Sequence, residues 1–356
     1  MLIAILTDTH AGVRNSNIFF MNNQRKFYNK VFFPEIDKRG IKVILHGGDA
    51  LEDRKNLNTL AIKSLCEMYY DECEKRQITQ YQILGNHDVF YRNTNDVHSL
   101  DIFDKAYQHL NIIHDTAEIE LGGKVFSLMS WINNENLESR LEFIKNTKGD
   151  VLLSHLEIKN FEMTAGNVCE HGLDQEILRH IPLVLSGHFH LATQQGNIKY
   201  LGNNTQTNRG DLGQKKGFWI IDTDDLSMEF IHNPYDVYNQ LYFDNDINIM
   251  DFDVKPYTDQ IVVVYIKSYL DVNQKKLNLY IDKLNRTAHS VTVQELNQIS
   301  VDSASVDVDI EAIDTIGIIN SYIDSAIDKE DQRPKIKNIM HDLYKDALNN
   351  TVSIDL

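Results

Sequence analysis

The chain has 356 residues, 42% of them hydrophobic and 24% charged, and a formal net charge of −17. This is ordinary globular usage, long enough for two or three domains, and it excludes a strongly basic nucleic-acid clamp. No apolar run approaches the roughly 18 residues that span a bilayer, and no signal-peptide pattern opens the chain, so an intracellular (cytoplasmic) location is expected.

From residue 1 to about 235, strands alternate with helices, and five strands end in short polar motifs. The apolar, β-prone run Leu2–Leu6 leads to Asp8-Thr9-His10, and Val43–Leu45 leads to Gly48-Asp49. An amphipathic helix is predicted over Asn58–Arg76. Tyr81–Leu84 leads to Gly85-Asn86-His87-Asp88, with a second helix predicted over Ser99–Leu110. Lys124–Trp131 reads as a strand; Val151–Leu153 leads to Ser154-His155, and Leu183–Leu185 to Gly187-His188-Phe189-His190. Lys199–Gly202, Gly217–Asp222 and Met228–His232 complete the strands. The order predicts an α/β sandwich with mixed sheets between helices.

A break follows at Asn233-Pro234-Tyr235. Beyond it a small unit is predicted from strand Gln260–Lys267, helix Gln274–Thr287 and strand Ser290–Leu296. Residues 300–314 hold five acids and no base and read as a solvated linker. A last helix begins at Pro334, with Ile336, Ile339, Met340, Leu343, Tyr344, Ala347 and Leu348 at helical spacing. The expected domains are 1–235, 236–299, the linker 300–314 and a helical segment 315–356. Residues 1–235 carry 31 acids against 24 bases (−7), and 236–356 carry 21 against 11 (−10). Much of the affinity for any phosphate backbone would then come from another subunit. Cys66, Cys73 and Cys169 follow no metal-binding spacing and read as free, buried thiols.

The five motifs carry the chemistry. A strand that stops at a loop bearing a ligand places that ligand on the rim of its sheet. The residue types are Asp, His and Asn, the oxygen and imidazole donors suited to divalent manganese, iron or zinc. Two such ions about 3.5–4 Å apart can serve an in-line phosphoryl displacement. One bridging carboxylate is then needed, and Asp49 is central in the motif order. Asp8, His10 and His190 would complete one ion, and Asn86, His155 and His188 the other. His87 is surplus to that count and is the natural general acid, with Asp88 holding its ring in the needed tautomer. His46, His98, His109, His114, His171, His180, His232, His289 and His341 read as structural. Asp53 and Arg54 read as a surface ion pair. Lys215 and Lys216 fit a solvated loop and a phosphate contact equally, and Trp131 and Phe218-Trp219 read as core.

The motifs resemble the calcineurin-like phosphoesterase superfamily. The residues around them resemble its DNA-repair branch, the SbcD and meiotic-recombination nucleases, including the recombination endonuclease subunits of T4-like phages. The likeness also covers Gly47-Gly48-Asp49-Ala50-Leu51-Glu52-Asp53-Arg54-Lys55, His155-Leu156-Glu157, His171-Gly172-Leu173 and Gly217 to Thr223. It implies a four-layer α/β/β/α metallophosphoesterase sandwich, a small α/β capping domain and C-terminal helices docking on an SbcC-like coiled-coil ATPase. It further implies two ions, most often Mn2+, held by Asp8, His10, Asp49, Asn86, His155, His188 and His190, with His87 at the transition state. Exonuclease action on duplex DNA ends, endonuclease action on single strands, and a homodimer within a heterotetramer follow from the same likeness. Cellular relatives often have a histidine three residues after the bridging aspartate, where this chain has Glu52. Two other readings use the same residues: a phosphatase or cyclic-nucleotide phosphodiesterase, and a non-catalytic scaffold.

Overall fold

In the computed structural model, Leu2–Leu6 lies inside a six-stranded sheet. Its order is Met228–His232, Gly217–Asp222, Leu2–Leu6, Val43–His46, Thr79–Ile83 and Leu110–Ile113. The last four strands run parallel, and the first two are antiparallel additions. A second six-stranded sheet has the order Thr193–Gln195, Ile198–Tyr200, Leu183–Gly187, Val151–His155, Lys124–Met129 and Thr116–Leu121. Its four central strands are parallel and its two edges antiparallel. The structure describes residues 1–164 and 166–296, and beyond them the helical positions Ile323, Arg333, Lys335, Ile336, Lys337, Ile339 and Met340.

Alternation along the strands sorts the side chains into layers. Ile3 and Ile5 pack with Leu45, Phe126, Leu153 and Leu185 between the two sheets. Ala4, Leu6 and Ile44 face the other way, onto Phe27, Phe32, Met68 and Tyr69 of the covering helices. On the far side of the second sheet, Leu152, Val184 and Tyr200 pack with Ile144 and Leu178. The domain is therefore a four-layer α/β/β/α sandwich, as the resemblance implies.

The covering helices depart from simple periodicity. One runs through Ile18–Phe27, Tyr28–Phe32 and Phe33–Arg39, and the other through Thr59–Leu65, Cys66–Tyr70 and Asp71–Lys75. In both, the middle segment is a π-helical turn, which adds a residue and shifts the phase of the buried face. The helix predicted over Ser99–Leu110 is only Asp101–Asp104. The carbonyl of His109 takes the Gln80 amide at 2.7 Å, so strand pairing claims the end of that segment before a second turn can form.

The small unit has three parallel strands, Tyr238–Tyr242, Ile261–Ile266 and Ser290–Glu295. Helix Gln274–Leu284 covers it, burying Leu277, Tyr280 and Leu284 against Val262, Val264 and Ile266. By internal contacts the chain divides into Met1–Gln298 and Ile299–Leu356. The linker expected over 300–314 lies outside the described residues, as do Pro334, His341, Leu343, Tyr344, Ala347 and Leu348 of the last helix. Among the described residues no helix is long and apolar enough to cross a membrane. Cys73 and Cys169 are buried and Cys66 partly so, all as free thiols.

Candidate metal centre

All five motifs sit where parallel strands of the two sheets reach their carboxyl ends, the usual place for a site in an open α/β sheet. Hydrogen bonds between motifs tie the loops together. Asp8 N donates to Gly48 O and His10 N to Asp49 O, each at 3.0 Å. His87 N donates to Asp49 Oδ1 at 2.8 Å, and His188 N to Asp8 Oδ1 at 3.1 Å. Asp8, His10, Asp49 and His188 all take left-handed backbone angles, with φ of 51°, 46°, 56° and 85°. Such strain in non-glycine residues persists only where surrounding bonds over-determine it. Gly85 is required for the close approach: a Cβ there would lie 2.1 Å from Asp49 Oδ1.

Among the described residues the motifs form three overlapping donor groups: Asp8 with His10 and His190, Asp49 with His155 and His188, and His10 with Asp49 and His87. A further group is His98 with Asp101 and His114. Hydrogen-bond partners fix the ring tautomers. The Nδ1 of His155 lies 2.7 Å from the carbonyl of Gly47, which can only accept, so that nitrogen carries the proton. Its Nε2, the nitrogen a metal could take, lies 3.0 Å from Asn86 Oδ1 and 3.2 Å from Asp49 Oδ2. His10 places Nδ1 2.7 Å from Glu52 Oε2, leaving Nε2 at 2.9 Å from His190 Nε2 and 3.8 Å from Asp8 Oδ1. His188 bonds Glu157 through Nε2 at 3.2 Å and turns Nδ1 to Asn86 Oδ1 at 2.8 Å. Carboxylate and amide oxygens and inward ring nitrogens thus converge, a donor set that divalent cations can occupy in place of the ring protons. The donor set fits two hard or borderline divalent ions.

Charge says the same. Burial pushes the Asp8 and Asp49 carboxyls up, but the histidines around them reverse this and hold both below the usual range. Burial pulls His155 down, and Asp49 with Asp8 outweighs it and holds the ring at about 9. The carboxylates demand positive charge at their centre.

Asp88 corrects one expectation. Its Oδ2 accepts from Asp49 N and Gly85 N at 2.8 Å each, and its Oδ1 from Ala50 N at 3.0 Å. Both oxygens are engaged by backbone, so Asp88 clamps the loop that carries Asp49 and does not orient His87. The His87 Nδ1 instead faces the Glu52 carbonyl at 2.6 Å, which sets its tautomer. Burial and the nearby Asp49 raise the Asp88 carboxyl to about 6 against its three amide donors.

Other residues fall into place around this centre. His46 is structural: burial lowers it to about 3, with Nε2 on Thr9 Oγ1 at 2.9 Å. Trp131 is half-buried and packs its ring beside His188, centroids 5.3 Å apart, so it walls the site as well as joining the core. Asp53 accepts from Lys55 N and Asn56 N, which makes it a turn cap. Lys216 is neither solvated nor a surface phosphate contact. It is buried, paired with buried Asp211 at 2.6 Å, and donates to the His190 carbonyl at 2.9 Å. Sequence reasoning gave no role to Glu52, Glu157 or Asp211. Glu157 had a signal, standing two residues after His155 and so on the same side of the extended chain.

Residues 1–192 match the family model described as calcineurin-like phosphoesterase. The chain is 26% identical over 349 residues to exonuclease subunit 1 of Enterobacteria phage T4, covering 98% of this chain and 99% of that protein. Among solved structures it is similar to a novel archaeal phosphodiesterase, with TM-score 0.34 and 14% identity over 65% of this chain and 100% of that one. It is also similar to a hypothetical protein from Thermus thermophilus, with TM-score 0.32 and 14% identity over 57% of this chain and 76% of that one.

Proposed function

The chain belongs to the calcineurin-like phosphoesterase family of metal-dependent enzymes, and from that premise we propose that it is the nuclease subunit of a DNA recombination complex. The reading is of a manganese-dependent exonuclease on duplex ends and endonuclease on single strands, acting with an SbcC-like coiled-coil ATPase. The observation that carries it is the extent of likeness to the phage exonuclease subunit, which runs far beyond residue 192 and over nearly all of both chains. A phosphatase needs only the sandwich. A shared remainder speaks for a shared assembly, and the word subunit in the relative's name speaks for a partner.

In this reading Asp8, His10 and His190 would hold one ion and Asn86, His155 and His188 the other, with Asp49 a ligand common to both. Bound ions supply Lewis-acid polarisation of the phosphodiester and of the attacking water. His87 delivers a proton to the leaving oxygen from Nε2, while the Glu52 carbonyl keeps its Nδ1 protonated. Asp88 keeps the Asp49 backbone rigid through its three amide bonds. With a net charge of −17 and no basic clamp, much of the grip on the phosphate backbone falls to the partner. Residues 236–299 serve as the capping domain and 315–356 as the partner-binding segment, where Ile339 is 59% and Met340 38% exposed. The active form is a homodimer within a heterotetramer.

The test uses linear duplex, circular single-stranded DNA, a phosphomonoester and a cyclic nucleotide, each with manganese, with and without the co-expressed ATPase. Cleavage of DNA, stimulated on duplex by the ATPase and ATP, is the expected result. Turnover of the phosphomonoester or cyclic nucleotide with DNA untouched would overturn the nuclease reading in favour of a phosphatase or phosphodiesterase.

A further inference from the structure

The two histidines that face opposite ends of the centre present different nitrogens to it. His10 turns Nε2 inward and His188 turns Nδ1 inward. What the two share is a glutamate on the outward nitrogen: Glu52 Oε2 lies 2.7 Å from His10 Nδ1, and Glu157 Oε1 lies 3.2 Å from His188 Nε2. The inward nitrogen is therefore set by where the carboxylate sits and not by a preference of the ring. His155, between them, has only a neutral carbonyl behind it, that of Gly47.

Resting on the two-ion reading above, we propose that Glu52 and Glu157 are a matched pair of positioning residues, one for each ion. Each sets a carboxylate against the outward nitrogen of one ligand imidazole and raises its basicity without taking a coordination position. The one ion has Asp8 and Asp49 as its carboxylates, and the other has Asp49 and a neutral Asn86. A glutamate behind each set adds negative charge to both without narrowing the space that substrate must enter. Both glutamates stand at the rim, with side chains 36% and 37% exposed, yet both backbones are pinned. Glu52 N donates to Ala11 O at 3.1 Å, and Glu157 O accepts from Leu173 N at 2.8 Å. A Cβ on Gly172 would come within 2.5 Å of that same Glu157 oxygen, so the segment past His171 is fitted closely over it. Glu52 does two things at once: its side chain backs His10 while its carbonyl takes His87 Nδ1. Side-chain substitution separates them, because it leaves the carbonyl in place.

The experiment measures Mn2+ binding to the full chain by electron paramagnetic resonance, for wild type, Glu52→Gln, Glu157→Gln and the double variant. Free manganese gives the isotherm, and the spin-coupled signal reports the ion pair. Each single variant is expected to weaken one of the two binding steps by about 10–100-fold, and so to show a mononuclear signal where wild type shows the coupled one. The double variant should weaken both steps. Because the same glutamates pair with His10 and His188 in the metal-free protein, melting of the metal-free variants should fall modestly. The step-specific change in the manganese isotherm is the readout that a merely structural role would not give. Wild-type isotherms in both single variants, within twofold and with the coupled signal intact, would overturn the proposal and leave the two-ion reading standing. Absence of a coupled signal in saturated wild type would overturn both.

Discussion

Two parallel sheets in this chain end in opposite ways. In the sandwich, the loops after the parallel strands turn back into the protein, so that Asp8, Asp49 and His155 are at most 1% exposed. In the small unit, the turn after Ile261–Ile266 projects outward, with Tyr269 46% and Leu270 95% exposed, and Tyr242 on the neighbouring strand is 61% exposed. Parallel pairing supplies an edge in both places. Loops from different strands bond to one another in both. In the small unit Asn245 reaches Asp271 O and Asn273 N. In the sandwich the bonds run through Gly48 O, Asp49 O, Gly47 O and the Asp8 carboxylate, among the buried acids and imidazoles themselves. Cross-linking between loops is therefore not enough for a site: the sandwich differs in burying the cross-linked acids and imidazoles together, while the small unit leaves its turn in solvent.

The comparison can be broken most completely at Asp49. If it bridges both ions, Asp49→Ala should lose the pair and not a single member. Metal content by mass spectrometry should fall from about two per chain towards zero, with cleavage lost alongside. Retention of both ions would refute the bridging assignment. Next in size is His87→Ser, which removes a proton donor and no ligand. Metal content and DNA binding should persist while turnover falls by roughly 10²–10⁴-fold. A loss of metal in this variant would make His87 a ligand.

A smaller effect lies behind the site, in the buried pair of Asp211 and Lys216 that holds the His190 carbonyl. Burial raises the Asp211 carboxyl, and Lys216 first, then His190, bring it below its ordinary value. A carboxyl held low in the folded state contributes stability above its unfolded pKa of 3.8 and loses it as the pH falls through the folded value. Asp211→Asn leaves a buried ammonium unpaired and should cost about 3–5 kcal/mol at neutral pH. Its melting temperature should also fall less steeply than wild type below about pH 4. Parallel acid limbs in the two proteins would show that Asp211 is not ionised in the fold.

The same contrast explains what the sequence disclosed. The strands before the motifs were legible because a sheet covered on both faces reads as an apolar run, and Leu2–Leu6, Gly217–Asp222 and Met228–His232 come out to the residue. The ligand types at their ends were legible because the motifs are local. The helix over Ile18–Arg39 was not: its buried face includes Asn23 and Gln24, and the π turn at Tyr28–Phe32 breaks the period. Gln24 is buried for a reason no pattern reports, since its amide donates to Thr9 O at 2.6 Å. Glu52, Glu157 and Asp211 were missed for the same cause. Their partners lie 42, 31 and 5 residues away in sequence, and only the fold shows which carboxylate backs which ring or lysine.

The least disruptive test asks whether the two regions are separable. Leu277 is 2% exposed in the core of the small unit, against Val262 and Val264. Replacing such a buried leucine by alanine costs about 2–5 kcal/mol, depending on how far the site collapses. The unit meets the sandwich through specific contacts that include Gln206 Oε1 taking Val237 N and Tyr238 N at 2.8 Å each, Arg209 reaching Tyr265 and Gln294, Lys26 pairing with Asp259 at 2.8 Å and Phe19 stacking on His289. Beside them is one small apolar contact of Val13, Phe20, Val237 and Tyr238. None of these bonds lies in the loops that carry the metal-site residues. Leu277→Ala should therefore lower the melting of the small unit while leaving about two manganese ions per chain and unchanged cleavage of short single-stranded DNA at low temperature. A parallel loss of metal would mean that the loops depend on the small unit for their shape, and that the two sheet ends differ in exposure but not in independence.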